Sequence, residues 1–258
     1  MNAASRLLRI YDRLMQQTAE QSTLNAWAGA FDVALDRPHL EDEVTTLLMG
    51  LRSEVNFARA RLDAHGVPTG LTSPSFERMS QYASPGHIHS PWKNHVGNLH
   101  TPDVRKILEW AAWALREEDE ADMSAEELTV LEGELAALEA ALGETDMAPY
   151  LRDFVRKQVE TIRGALRMYG VQGVKPVQDA LQKVAGAYKT QEKVIEKTVA
   201  AAPEEAKGLF AKAAGVIEKV AKVSDNLSKI KKGGEEAYAI GTAVSAVLLP
   251  YLPKLLGA

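Results

Sequence analysis

Apolar residues return along this chain at alternating steps of three and four, the spacing of one face of an α-helix, and no segment sustains the period-two alternation of a strand. Leu7, Tyr11, Leu14 and Met15 mark a first helix, and Trp27, Phe31 and Leu35 a second. Val44, Leu48, Leu51, Val55, Ala58 and Leu62 form a longer seam, which ends at Gly66 and Pro68. A helix restarts at Thr101-Pro102, an N-cap followed by proline at the first helical position, and continues through Val104, Ile107, Leu108, Ala111 and Leu115.

Ser124 and Glu127 have the spacing of a capping box, in which hydroxyl and carboxylate satisfy opposite free amides of a first turn. Leu128, Leu131, Leu135, Leu138 and Leu142 then alternate three and four apart up to Gly143, placed for a left-handed C-cap. Pro149 opens a helix that runs through Leu151, Val155, Ile162, Leu166 and Tyr169 to Gly170, and Pro176 opens another through Val177, Leu181, Val184 and Tyr188. Pro203 separates a helix near 189–201 from one near 204–231, where Val216, Val220, Val223 and Leu227 make a thinner seam. The leucine and valine seams are candidates for self-association. The pattern defines an all-α protein: a multi-helix bundle with a C-terminal helical arm that ends in an apolar helix.

Two segments stand apart. Residues 66–100 carry Pro68, Pro74, Pro85 and Pro91 with Gly66, Gly70, Gly86 and Gly97, and are expected to form one long loop. Ala237 to Pro253 is a charge-free run in which Ala237, Gly241 and Ser245 form a row of small residues that lets helix backbones approach closely. A helix of that length spans roughly 25 Å, short of the ~30 Å hydrocarbon core, and Pro250 should end it sooner. Tyr238, Gly241, Ser245, Leu248, Leu249 and Tyr251 are therefore candidates either for membrane contact or for helix packing.

Charge divides the chain as well. The segment 1–182 holds 18 basic and 27 acidic side chains, a net −9, whereas the remainder holds 12 basic and 8 acidic, a net +4. This shift places an expected boundary between an acidic bundle, 1–188, and a lysine-rich arm, 189–258. The overall charge of −5 argues against binding a nucleic-acid backbone. Cysteine is absent, which removes thiolate catalysis and cysteine-based zinc sites. The amphipathic stretch from Met1 to Gln17 does not have the continuous apolar core of a secretory signal, so a cytoplasmic location is expected, with peripheral or inserted placement at the inner membrane as the variant.

His87, His89, His95 and His100 gather most of the histidines into one short segment, a composition that suits zinc, nickel or copper. With no cysteine and no regular scaffold around them, they read as loop histidines, and neither metal nor other cofactor is expected. The acidic residues crowded between Arg116 and Arg152 read as the solvated flank of the leucine-seam helix. No phosphate-binding loop, nucleophile elbow or dinucleotide fingerprint occurs, so an enzyme is not expected.

The Trp27–Phe31 turn, the acidic Leu128–Leu142 helix, Tyr150-Leu-Arg-Asp-Phe154 and the run from Ala165 to Val174 resemble helical bacterial proteins carried on mobile elements and near defence loci, over residues 20–190. The resemblance implies a non-enzymatic bacterial effector whose C-terminal segment acts on a membrane. The alternative reading of the residues is a soluble helical scaffold that binds a protein partner or its own copy, with the C-terminal helix buried.

Overall fold

The computed structural model describes residues 1–227 together with Val244, Ala246, Val247 and Pro250. Among them the chain forms ten α-helices and no strand. These are α1 (Ala3–Met15), α2 (Thr23–Phe31), α3 (Leu40–Ala64), α4 (Thr69–Tyr82), α5 (Lys93–Leu99), α6 (Pro102–Ala114), α7 (Ala125–Glu144), α8 (Pro149–Gln172), α9 (Lys175–Ala200) and α10 (Glu204–Leu227). The all-α bundle expected from the spacing is the observed architecture. It divides into two compact units, one of residues 1–119 with 170–173, the other of residues 120–169 with 174–258.

In the first unit α1 packs on α2, α3 and α6, and α4 lies against α3, α5 and α6. Leu7, Ile10, Tyr11 and Leu14 bury one face of α1, and Asn2 caps it by accepting from the Ser5 amide at 2.9 Å. One charge shares that buried face. The Arg6 guanidinium donates to Glu54 Oε1 through Nε at 2.9 Å and Nη2 at 2.7 Å, and through Nη1 to the Met1 carbonyl at 2.9 Å. Both side chains are only 4% exposed, so α1 and α3 are joined by a desolvated, multiply bonded ion pair. A second clasp closes the other end of α3. Glu118 accepts from Arg61 at 2.7 Å and meets His65 Nε2 at 2.6 Å. Burial pushes the Glu118 carboxyl up, but the hydrogen bonds from Arg61 and His65 outweigh it and hold the group below its ordinary value.

The second unit is built on α7 to α10. Leu131, Leu135, Leu138 and Leu142 of α7 meet Leu151, Val155 and Ile162 of α8, Val177, Leu181 and Val184 of α9, and Phe210, Ile217 and Val220 of α10 in one buried cluster. At its centre Tyr188 is enclosed by Phe154, edge to face at 4.8 Å, and by Phe210 at 6.0 Å. Ion pairs of α7 Glu139 with α8 Arg163, and of α7 Glu134 with α10 Lys219, border the cluster.

Several expectations are corrected. Residues 66–100 are not one loop: α4, a 3₁₀ turn at Pro85–His87 and α5 occupy most of them, because Thr72, Phe76, Met79 and Ala83 recur at helical spacing on a buried face. Gly143 lies inside α7, which ends at Glu144 with Thr145 as cap, and α8 passes Gly170 to stop at Gly173, whose φ of 68° supplies the left-handed terminator. α2 ends at Phe31, since Asp32 turns left-handed at φ 63°, and Leu35 is left exposed. The expected boundary at 188/189 falls inside α9, whose residues on both sides, Tyr188 and Ile195, belong to one core. The shift to lysine changes the solvated faces of α9 and α10 without ending a core.

Candidate functional site

In the first unit the histidine-rich segment is fixed by its backbone. The amides of Thr23 and Leu24 donate to the carbonyls of Ser90 and Ile88, each at 2.9 Å, and the amides of Trp92 and Lys93 donate back to Gln21 and Ala19, each at 3.0 Å. The Thr23 hydroxyl adds a bond to the Ser90 carbonyl at 2.8 Å. Residues 88–93 thus lie along residues 19–24 by an exchange of amide bonds, with a single isolated bridge between Ser22 and Pro91.

This frame brings two of the four histidines together and leaves two apart. The rings of His87 and His95 are 5.0 Å between centroids, Tyr82 meets His95 edge-on at 5.6 Å, and buried Trp92 lies 6.4 Å from His95. His89 turns to Glu41, 3.3 Å away, and His100 is exposed at the end of α5. Burial, with His87 adding to it, pushes the His95 imidazole below its ordinary pKa, which favours the neutral ring. Ser90 Oγ bonds His95 Nε2 and donates its one proton to the His87 carbonyl at 2.6 Å. The Ser90 oxygen therefore accepts from a protonated Nε2, the reverse of what activates a serine nucleophile, and the pair acts as a clasp on this turn. Among the described residues no group of three or more histidine and carboxylate side chains is placed to hold a metal ion.

Beside Tyr82 opens a cleft of about 250 Å³ lined by Arg78, Gln81 and Tyr82 from α4, Gly97 and Asn98 from α5, and Thr101. Arg78 Nη1 donates to the Thr101 hydroxyl at 3.2 Å. Thr101 is the N-cap of α6 by position, yet its side chain makes no capping bond to the first turn. Nothing in the sequence points here, because Arg78 and Gln81 fall in a segment whose proline and glycine content reads as loop.

The residues singled out by the seams have another place. Leu131, Leu135, Leu138, Leu142, Val216, Val220 and Leu227 are buried in the core of the second unit, and Leu128 and Val223 are half-buried against it. They pair α7 with α10 of the same chain. Tyr238, Gly241, Ser245, Leu248, Leu249 and Tyr251 lie outside the described residues. Near them, Val244 is buried in the second unit's cluster at 1% exposure and Val247 packs against it, whereas Ala246 is exposed. Of the four tryptophans, Trp27 and Trp92 are core, while Trp110 and Trp113 on α6 are 37% and 62% exposed, with the Arg116 guanidinium 4.2 Å above the Trp113 ring. Among the described residues no helix is long and apolar enough to cross a membrane.

No protein-family model, curated protein or solved structure matches this chain.

Proposed function

We propose that this chain is a non-enzymatic helical interaction protein whose charge-free C-terminal segment completes the core of the second unit. Val244 carries the reading. It shares a buried cluster with Leu135, Tyr188 and Phe210, where it is removed from water by the chain itself and needs no lipid. With the leucine and valine seams also closed internally, those faces are taken up in folding, and contact with a protein partner falls to other residues. Exposed Trp110 and Trp113 are of the type that dominates binding hot spots, which supports the interaction half of the reading.

The second reading is a bacterial defence effector whose C-terminal segment enters a membrane. The charge-free run from Ala237 to Pro253 and its row of small residues favour it. For such a protein Val244 must first leave the core.

One pair of substitutions separates the two. Under the core reading Val244→Asp lowers the thermal midpoint of the second unit by several degrees, because it buries an unpaired charge, while Ala246→Asp at an exposed neighbour leaves it unchanged. All four tryptophans, Trp27, Trp92, Trp110 and Trp113, lie in the first unit, so the Val244→Asp loss is expected in circular dichroism and not in tryptophan fluorescence. Equal melting of both variants with the parent protein would remove the core reading.

A further inference from the structure

We propose that the cleft between α4 and the α5–α6 junction binds a small molecule through a phosphate group. Arg78, Gln81 and Tyr82 stand at i, i+3 and i+4, which places them on one face of α4, opposite Gly97 and Asn98 of α5. Of the six lining residues, five carry polar side chains, and none is acidic. Of the five N–H groups of a guanidinium, Arg78 uses one on Thr101. Arg6, Arg61, Arg105 and Arg163 each pair with a carboxylate, but Arg78 has no carboxylate partner among the described residues.

An uncompensated guanidinium in a concave, donor-rich setting complements an anion. Gln81 and Tyr82 on one wall and Asn98 and Thr101 on the other add amide and hydroxyl donors to the lining, a mixture that suits a tetrahedral oxyanion with acceptor oxygens on several sides better than a planar carboxylate. The site is also partly ordered in advance, because the edge contact from His95 holds the Tyr82 ring. A cleft of about 250 Å³ is of a size for a small phosphorylated molecule and not for a drug-sized ligand. Gly97 leaves the wall open: a Cβ built there meets nothing within 4 Å. The site lies wholly in the first unit and does not depend on where the C-terminal segment resides.

The test is binding to the full chain, followed by amide chemical shifts and titration calorimetry, with glycerol phosphate, inorganic phosphate, acetate and glycerol. Glycerol phosphate is expected to bind and to move the amides of α4 and α5, acetate to bind less tightly, and glycerol not at all. Arg78→Gln should weaken binding about tenfold or more, since the charged half of the recognition is lost. Gly97→Asp, which adds a carboxylate to the wall without a clash, should abolish it and provides a second variant if the first fails to fold. Inorganic phosphate binding as tightly as glycerol phosphate would support the phosphate site and identify the free anion as its ligand. Absence of binding by any phosphate, or undiminished binding by both variants, would overturn the proposal.

Discussion

Replacing Arg6 with methionine, or Glu54 with glutamine, lowers the stability of the first unit by about 3–5 kcal/mol, the cost of leaving one member of a buried ion pair without its partner. The Arg6 side chain is buried on the same helix as Leu7 and Ile10, and its bonds include two to Glu54 and one to the Met1 carbonyl. Remove the carboxylate charge and the guanidinium loses the acceptor of two of its bonds in a site that water reaches poorly; remove the cation and the carboxylate loses both of those donors. The double variant Arg6→Met with Glu54→Leu is expected to recover most of the loss, because an apolar pair of similar volume needs no compensation. Denaturant unfolding followed by tryptophan fluorescence reads this directly, as all the tryptophans belong to the unit concerned. Single variants within about 1 kcal/mol of the parent, the range of an exposed pair, would show that the pair is solvated and that α1 is held by its apolar face alone.

Leu135→Ala is the second large effect, about 2–5 kcal/mol, and this time in the other unit. Leu135 is fully buried in the middle of the α7 seam, where the neighbouring helices leave little freedom for the cavity to collapse. The informative feature is concentration. If the seam joins α7 to α10 of the same chain, the unfolding midpoint of parent and variant stays constant over a wide range of protein concentration; a seam between copies makes the midpoint rise with concentration and makes the variant dissociate. Circular dichroism across a dilution series distinguishes the two.

The fold is legible in the sequence wherever a local signal agrees with a buried stripe. The capping box is present as read: Ser124 Oγ accepts from the Glu127 amide at 3.1 Å and Glu127 returns the bond at 2.9 Å. Gly66 turns left-handed at the end of α3 at φ 74°, and Pro176 opens α9. The failures have particular causes. Pro74 and the flanking glycines disguise α4, although the four-three spacing of Thr72, Phe76, Met79 and Ala83 is there to be found; packing of Phe76 and Met79 overrides the poor local propensity. Gly143 and Gly170 look like stops because a glycine after a periodic run usually is one, yet both helices continue past them to Glu144 and Gln172.

The candidate site is less legible, for a geometrical reason. A heptad seam states that a helix has a partner but not whose helix it is, so Leu128–Leu142 and Val216–Leu227 suit self-association and internal packing equally. Arg6 and Glu54 are far apart in sequence, and so are Arg78 and Thr101, so neither contact leaves a mark in local spacing. The histidines are visible as a cluster, but the sequence does not show that Ser90 holds His95 while His89 turns away to Glu41. The acidic run before Arg152 does flank a helix; that Glu134, Glu139 and Glu118 each take a basic partner from a distant segment is invisible in it.

Whether the C-terminal segment serves the core or a bilayer is tested most directly by liposome flotation with dye leakage, comparing the full chain with one ending at Gly234, in neutral and in anionic lipid. Both proteins staying at the bottom of the gradient without leakage, with the shorter one melting earlier, is the result expected of a segment that completes the second unit. Flotation and leakage by the full chain alone would contradict that reading and assign residues 235–258 to the membrane.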